Sequence, residues 1–244
     1  MQIPVITGVI DRRILVNFRV NPEIIARILP EPFRPKIVKG TGMAGICLIR
    51  LQNIRPRFLP SFLGMSSENA AHRIAVEWEQ DGEIKEGVFI PRRDTSKRIN
   101  TLLGGRMFPG KSHLAVFNVE ENDDHYRVEV ESGDGNTHIL VDGNVVEDIP
   151  ATSVFTSIEE ASSYFEKGSL GYSVTSNPGE FEGLDLHSFN WQVQPLAVEN
   201  VESSFFSDET KFPRGSVDFD CALLMRGIQH EWHGQEMLCV GRGC

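Results

Sequence analysis

Two segments with strand-like alternation carry charged or titratable residues on their apolar faces. Along 69–79 the even positions Ala70, Ile74, Val76 and Trp78 are apolar, Arg73, Glu77 and Glu79 take the other side, and His72 falls in the apolar set. Glu68 points the same way if the strand begins early enough. Along 9–20, Arg12 shares a face with Ile10, Ile14, Val16, Phe18 and Val20. An ionised group so placed must be paired or must line a wet cavity, because burying it alone is costly. Two readings follow. In the first, Arg12, Glu68 and His72 project into a ligand pocket inside a curled sheet, with Arg12 binding substrate and Glu68 and His72 carrying protons in catalysis. In the second they stand at strand ends or form a structural ion pair, and His72 is a hydrogen-bonded core residue.

The run from Gly87 to Lys111 collects more polar chemistry. A buried strand, Gly87-Val88-Phe89-Ile90, meets a polar elbow at Pro91-Arg92-Arg93-Asp94-Thr95, and a loop follows at Gly104-Gly105-Arg106-Met107-Phe108-Pro109-Gly110-Lys111. Glycines in such a loop permit positive φ or close backbone approach. Arg106 could clamp a carboxylate, and Arg92 and Arg93 offer the same planar fork. Elsewhere, His230-Glu231-Trp232-His233 spaces its histidines by three rather than by the four of a helical His-Glu-x-x-His site, and no third ligand is near, so no metal site is expected. The acidic run Glu120 to Asp124 lacks the spaced ligands of a calcium loop and reads as a solvated hairpin. No Gly-x-Ser-x-Gly elbow, phosphate loop or dinucleotide fingerprint occurs, and no cofactor is implied.

The elements that must position these residues are mostly strands. Period-2 alternation between turn clusters predicts strands at 9–20, 36–38, 43–54, 69–79, 84–90, 113–120, 125–131, 137–141, 191–205 and 216–229. Three short helices carry start signals: Asn21 before Pro22, Asp94 or Thr95 ahead of Gly104-Gly105, and a capping box of Ser157 with Glu160 in a helix ending at Gly168. The stretch from Gly168 to Ser188, rich in glycine and polar residues, reads as a loop or lid.

With 40% hydrophobic residues in 244, the chain can bury a substantial core, and residues 1–244 read as one domain. Its 24 basic against 34 acidic residues give a formal charge of -10, which disfavours nucleic acid and anionic lipid as partners. Asp11, Arg12 and Arg13 arrive too early for a signal peptide, and no segment approaches the ~20 apolar residues of a membrane span. The cysteines, Cys47, Cys221, Cys239 and Cys244, form no Cys-x-x-Cys pair, so a reduced cytoplasmic protein without disulfides is expected.

The order of the Arg92-Arg93-Asp94-Thr95 elbow and the Gly105-Arg106-Met107-Phe108-Pro109-Gly110 loop resembles the acetoacetate decarboxylase-like superfamily, and more closely an uncharacterised bacterial branch of it. The resemblance implies a mainly β fold, a cone-shaped antiparallel β-barrel with a few short helices. It also implies a pocket for a small carbonyl or carboxylate compound such as a β-keto acid. In the decarboxylases a lysine after the loop proline forms a Schiff base, its amine kept neutral by an adjacent lysine and an apolar pocket; the enzyme is a standard example of this device. Here Arg106 and Pro109 match, Gly110 stands where the first lysine would be, and Lys111 follows alone as the candidate nucleophile. Glu68 resembles the glutamate that lines the decarboxylase pocket. Three functions follow as expectations: a decarboxylase-like lyase using Lys111, a non-catalytic small-molecule binding module, or a homo-oligomeric assembly protein pairing through sheet edges.

Overall fold

The computed structural model describes residues 4–102 and 110–240. Thirteen strands join one sheet. They are β1 (Ile6–Val20), β2 (Arg34–Pro35), β3 (Ile37–Val38), β4 (Thr41–Pro56), β5 (Met65–Gln80), β6 (Glu83–Thr95), β7 (Ser112–Glu121), β8 (His125–Ser132), β9 (His138–Val145), β10 (Leu170–Val174), β11 (Glu180–Ser188), β12 (Gln194–Ser203) and β13 (Val217–Cys239). Among the described residues three α-helices accompany them: α1 (Pro22–Ile28), α2 (Arg98–Leu102) and α3 (Ile158–Glu166). The Asn21 side chain accepts from Glu23 N–H, and Ser157 accepts from Glu160 N–H, so two of the expected caps form. Asp81 and Gly82, both at positive φ, close the hairpin between β5 and β6 as an Asp-Gly turn should.

Two strands branch. One edge of β6 pairs with β5; on its other edge Val88–Ile90 pairs with β10 and Arg93–Thr95 pairs with β7, both in parallel. β13 likewise pairs with β1 on one edge and with β12 and then β11 on the other. The sheet therefore closes on itself twice. A larger ring runs β6-β7-β8-β9-β12-β13-β1-β4-β5, and a smaller ring runs β6-β10-β11-β13-β1-β4-β5. The strands β13, β1, β4, β5 and β6 belong to both, so their two faces look into different interiors.

Side-chain alternation fills the larger ring with Ile14, Val16, Ile46, Leu48, Ile74 and Val76 against Val128, Val130, Ile139 and Val141. The opposite face packs Leu15, Met43, Cys47, Cys221 and Leu223 against Phe155, Ala161 and Phe165, the last two on α3. A register shift between Ile10 and Arg12 turns Ile10 to this second face, which corrects the expectation that it shares a side with Arg12.

Three further expectations change. The segment read as a loop from Gly168 to Ser188 contains β10 and β11. β6 continues through the elbow, so Asp94 lies in a strand and binds Arg92, and of the two expected caps it is Thr95 whose Oγ1 accepts a main-chain N–H, that of Lys97, just ahead of α2. Cys239 is disulfide-bonded, against the expected reduced thiols, whereas Cys47 and Cys221 are free. No helix among the described residues is long and apolar enough to cross a membrane.

Candidate functional site

A cavity of about 120 Å³ opens within the smaller ring, and every strand of that ring contributes to its wall. Its lining is largely apolar, with Ile49, Leu51, Val88, Ile90, Leu184, Leu186 and Trp232. Three arginines join them: Arg13 from β1, Arg73 from β5 and Arg93 from β6. Alternation puts each arginine here by sending the preceding residue, Arg12, His72 or Arg92, to the other face of the shared sheet.

The three guanidiniums are held lightly. Arg13 Nε donates to Cys47 Sγ at 3.4 Å and its guanidinium lies 5.9 Å from the Trp191 ring centroid. Arg73 Nη2 donates to Asn17 Oδ1, its guanidinium stacks 5.1 Å from the Phe165 ring, and its buried Nε has no partner. Arg93 Nε donates to Ser173 Oγ at 2.7 Å. Each arginine has five N–H donors. Among the described residues none of the three has a carboxylate within 4.0 Å, and no Asp or Glu occurs in the remaining positions of the chain. Burial pushes Arg73 and Arg93 down to about 10, which leaves both protonated at neutral pH. The wall also holds Asp94, but that carboxylate is taken by Arg92 at 2.7 Å.

On the larger-ring side, Arg12 and Arg50 are matched by carboxylates. Arg12, wholly buried, pairs with Glu68 at 2.6 Å and with Glu121. Arg50 binds the same two carboxylates. Arg12, Arg50 and Glu68 lie directly opposite one another across β1, β4 and β5. Burial works to raise Glu121, yet its bonds and charge pairing with Arg12 and Arg50 prevail and lower it. His72 Nε2 meets Ser203 Oγ at 3.1 Å and packs against Phe205, and burial first, with Arg92 and Lys211 adding to it, brings its imidazole down to about 3. Arg92 bridges Asp94 and Asp134.

Of the catalytic and substrate-binding residues expected from sequence, Arg93 alone among the described ones lines the cavity. Arg12 and Glu68 meet each other, His72 and Arg92 lie elsewhere on the same face, and Arg106 falls outside the described residues. Lys111 has an exposed side chain and donates its main-chain N–H to Val174 O, while its neighbour Ser112 reaches the cavity wall. Gly110 has φ +80°, and a Cβ there would lie 2.4 Å from Ser173 Cβ. The place where decarboxylases carry their first lysine thus has a backbone that a side chain does not fit. Sequence reasoning missed Arg13 and Arg73 because each looked like the outward partner of an inward residue. The signal available was that a sheet closed on both sides has no outward face.

A family model matches residues 9–226, that of DUF2071, described as an uncharacterized conserved protein. The chain belongs to the DUF2071 family. Among solved structures, acetoacetate decarboxylase from Legionella pneumophila superposes on this DUF2071 chain with a TM-score of 0.61 at 12% identity, covering 98% of this chain and 88% of that one. An acetoacetate decarboxylase-like enzyme from Sphingomonas wittichii gives 0.57 at 11% identity, over 98% and 93%. The enduracididine biosynthesis enzyme MppR, complexed with pyruvate, gives 0.57 at 8% identity, over 97% and 90%. A search of curated proteins by sequence finds no match. The mainly β, acetoacetate decarboxylase-like fold implied by the elbow and loop is thus the fold of this DUF2071 chain.

Proposed function

We propose that this DUF2071 protein binds a small organic carboxylate in the cavity of the smaller ring, the anion resting on Arg13, Arg73 and Arg93 and the apolar body on Ile90, Leu184 and Leu186. The observation that carries the reading is three largely buried guanidiniums that share one cavity and lack a carboxylate partner among the described residues. Buried charges in folded proteins are paired, and a ligand carboxylate supplies the missing pair in the bidentate geometry that arginine favours. That a protein of the same fold has been solved with pyruvate agrees with this ligand class.

Calorimetric titration with pyruvate and acetoacetate, with acetone as the uncharged control, tests it. The two carboxylates bind and raise the melting temperature, acetone does neither, and Arg93→Met abolishes the response. Binding of acetone equal to acetoacetate, or an unaltered response in Arg73→Met and Arg93→Met, overturns the proposal. A second reading keeps the Schiff base at Lys111, favoured by the presence of the adjoining Ser112 in the cavity wall. Borohydride reduction in the presence of acetoacetate decides it: an adduct mapped to Lys111 upholds that chemistry, and an unmodified Lys111 removes it.

A further inference from the structure

Cys47 occupies the wall of the cavity that Arg13, Arg73 and Arg93 also line. It accepts the hydrogen bond from Arg13 Nε at 3.4 Å, and Arg73 and Arg93 stand on the neighbouring strands of the same wall. The residue is 8% exposed and meets open space in the cavity that it lines. Arg73, 9% exposed, lines the same wall, and its buried Nε has no hydrogen-bond partner among the described residues. We propose that Cys47 is a nucleophile toward small carboxylates that carry an electrophilic carbon, the arginines holding the carboxylate while Sγ attacks that carbon. This rests on the anion-binding reading and adds reactivity to it.

The chemistry needs no co-reactant. With an α,β-unsaturated acid, the S–C bond forms at the β-carbon, the π pair moves to the α-carbon, and the thiol proton ends there, leaving a thioether. With a haloacid, the S–C bond replaces the carbon–halogen bond, halide departs with the electron pair and the thiol proton passes to solvent. Positioning supplies the rate, since a docked carboxylate raises the effective concentration of the electrophilic carbon at sulfur. Cys221 serves as an internal control: it is fully buried, lies outside the cavity wall, and burial raises its thiol to about 12.

Iodoacetate and iodoacetamide carry the same reactive carbon and differ in charge, and a free thiolate reacts more slowly with the anion. We therefore expect the Cys47 peptide, quantified by mass mapping of the native protein and normalised to free cysteine, to favour iodoacetate by about tenfold, equivalent to ~1.4 kcal/mol of anion docking. Pyruvate protects Cys47 from both reagents, and Arg93→Met and Arg73→Met abolish the preference for the anion. If pyruvate binds by calorimetry but Cys47 shows no more preference than free cysteine, the nucleophile proposal falls and the anion site stands. If neither binding nor preference appears, both fall.

Discussion

Arg93 Nε donates to Ser173 Oγ at 2.7 Å, and Ser173 lies directly opposite Ile90 where β6 and β10 pair in parallel. This single bond ties the guanidinium to the wall of the smaller ring and leaves four N–H donors for a ligand. Ser173→Ala is expected to weaken pyruvate binding by roughly tenfold, the worth of one charge-assisted hydrogen bond of ~1.5 kcal/mol. Calorimetry measures it directly.

Stability and binding should move in opposite directions at the cavity. Replacing an unpaired buried cation by an apolar side chain of similar volume removes a desolvation cost, so Arg73→Met and Arg93→Met should each stabilise the free protein, by ~1 kcal/mol. Urea midpoints without ligand would rise while pyruvate binding disappears.

The opposite is expected where charge is matched. Glu68→Gln leaves wholly buried Arg12 with Glu121 as its remaining carboxylate partner and should cost about 3 kcal/mol in urea denaturation. Pyruvate binding to the folded fraction should be unchanged, since Glu68 lies on the far side of the shared sheet.

A lysine at position 110 should destabilise the fold. Gly110→Lys places a side chain on a backbone at φ +80° and within 2.4 Å of Ser173 Cβ. A loss of about 3 kcal/mol is expected from strain and overpacking together. Gly110→Ala should show most of it, which thermal denaturation of both variants would establish.

Acid should loosen the fold before the carboxylates titrate. Burial brings His72 down to about 3, with Arg92 and Lys211 adding to the effect; burial brings His230 down to about 4, with Arg13 adding to it. In the unfolded chain both take up a proton near the ordinary value of ~6.5. Their contribution is therefore complete above pH ~6.5 and is lost as pH falls toward those lowered values. His138, which is raised, acts with the opposite sign, favouring the fold below its ordinary value. Urea midpoints measured from pH 7 down to 4.5 should fall, and His72→Gln should flatten the slope.

The strands along 9–20, 43–54 and 69–79 were legible because long alternating runs survive small errors at their ends. β10 and β11 were not, since Gly171 and Gly183 interrupt their apolar positions and a register shift lies between Phe181 and Gly183. The extension of β6 past Pro91 was hidden for a related reason. Proline normally ends a paired strand, yet Pro91 falls between the residues that pair with β10 and those that pair with β7, where its missing N–H costs nothing. The site itself was half visible. Arg12, His72 and the pair Arg92-Arg93 stood out in the sequence, but seeing that their neighbours Arg13 and Arg73 face a cavity required knowing that both faces are interior.

The dipeptides Arg12-Arg13, His72-Arg73 and Arg92-Arg93 also say something about how such a chain can change over time. In a strand that faces solvent on one side, gaining or losing one residue exposes a core and is lost to selection through instability. In β1, β5 and β6 the same event would exchange the contents of two chambers, carrying Arg12, His72 and Arg92 into one and Arg13, Arg73 and Arg93 into the other. Length variation among descendants of this chain should therefore collect in the turns, and new ligand preferences should arise by substitution within strands whose length stays fixed.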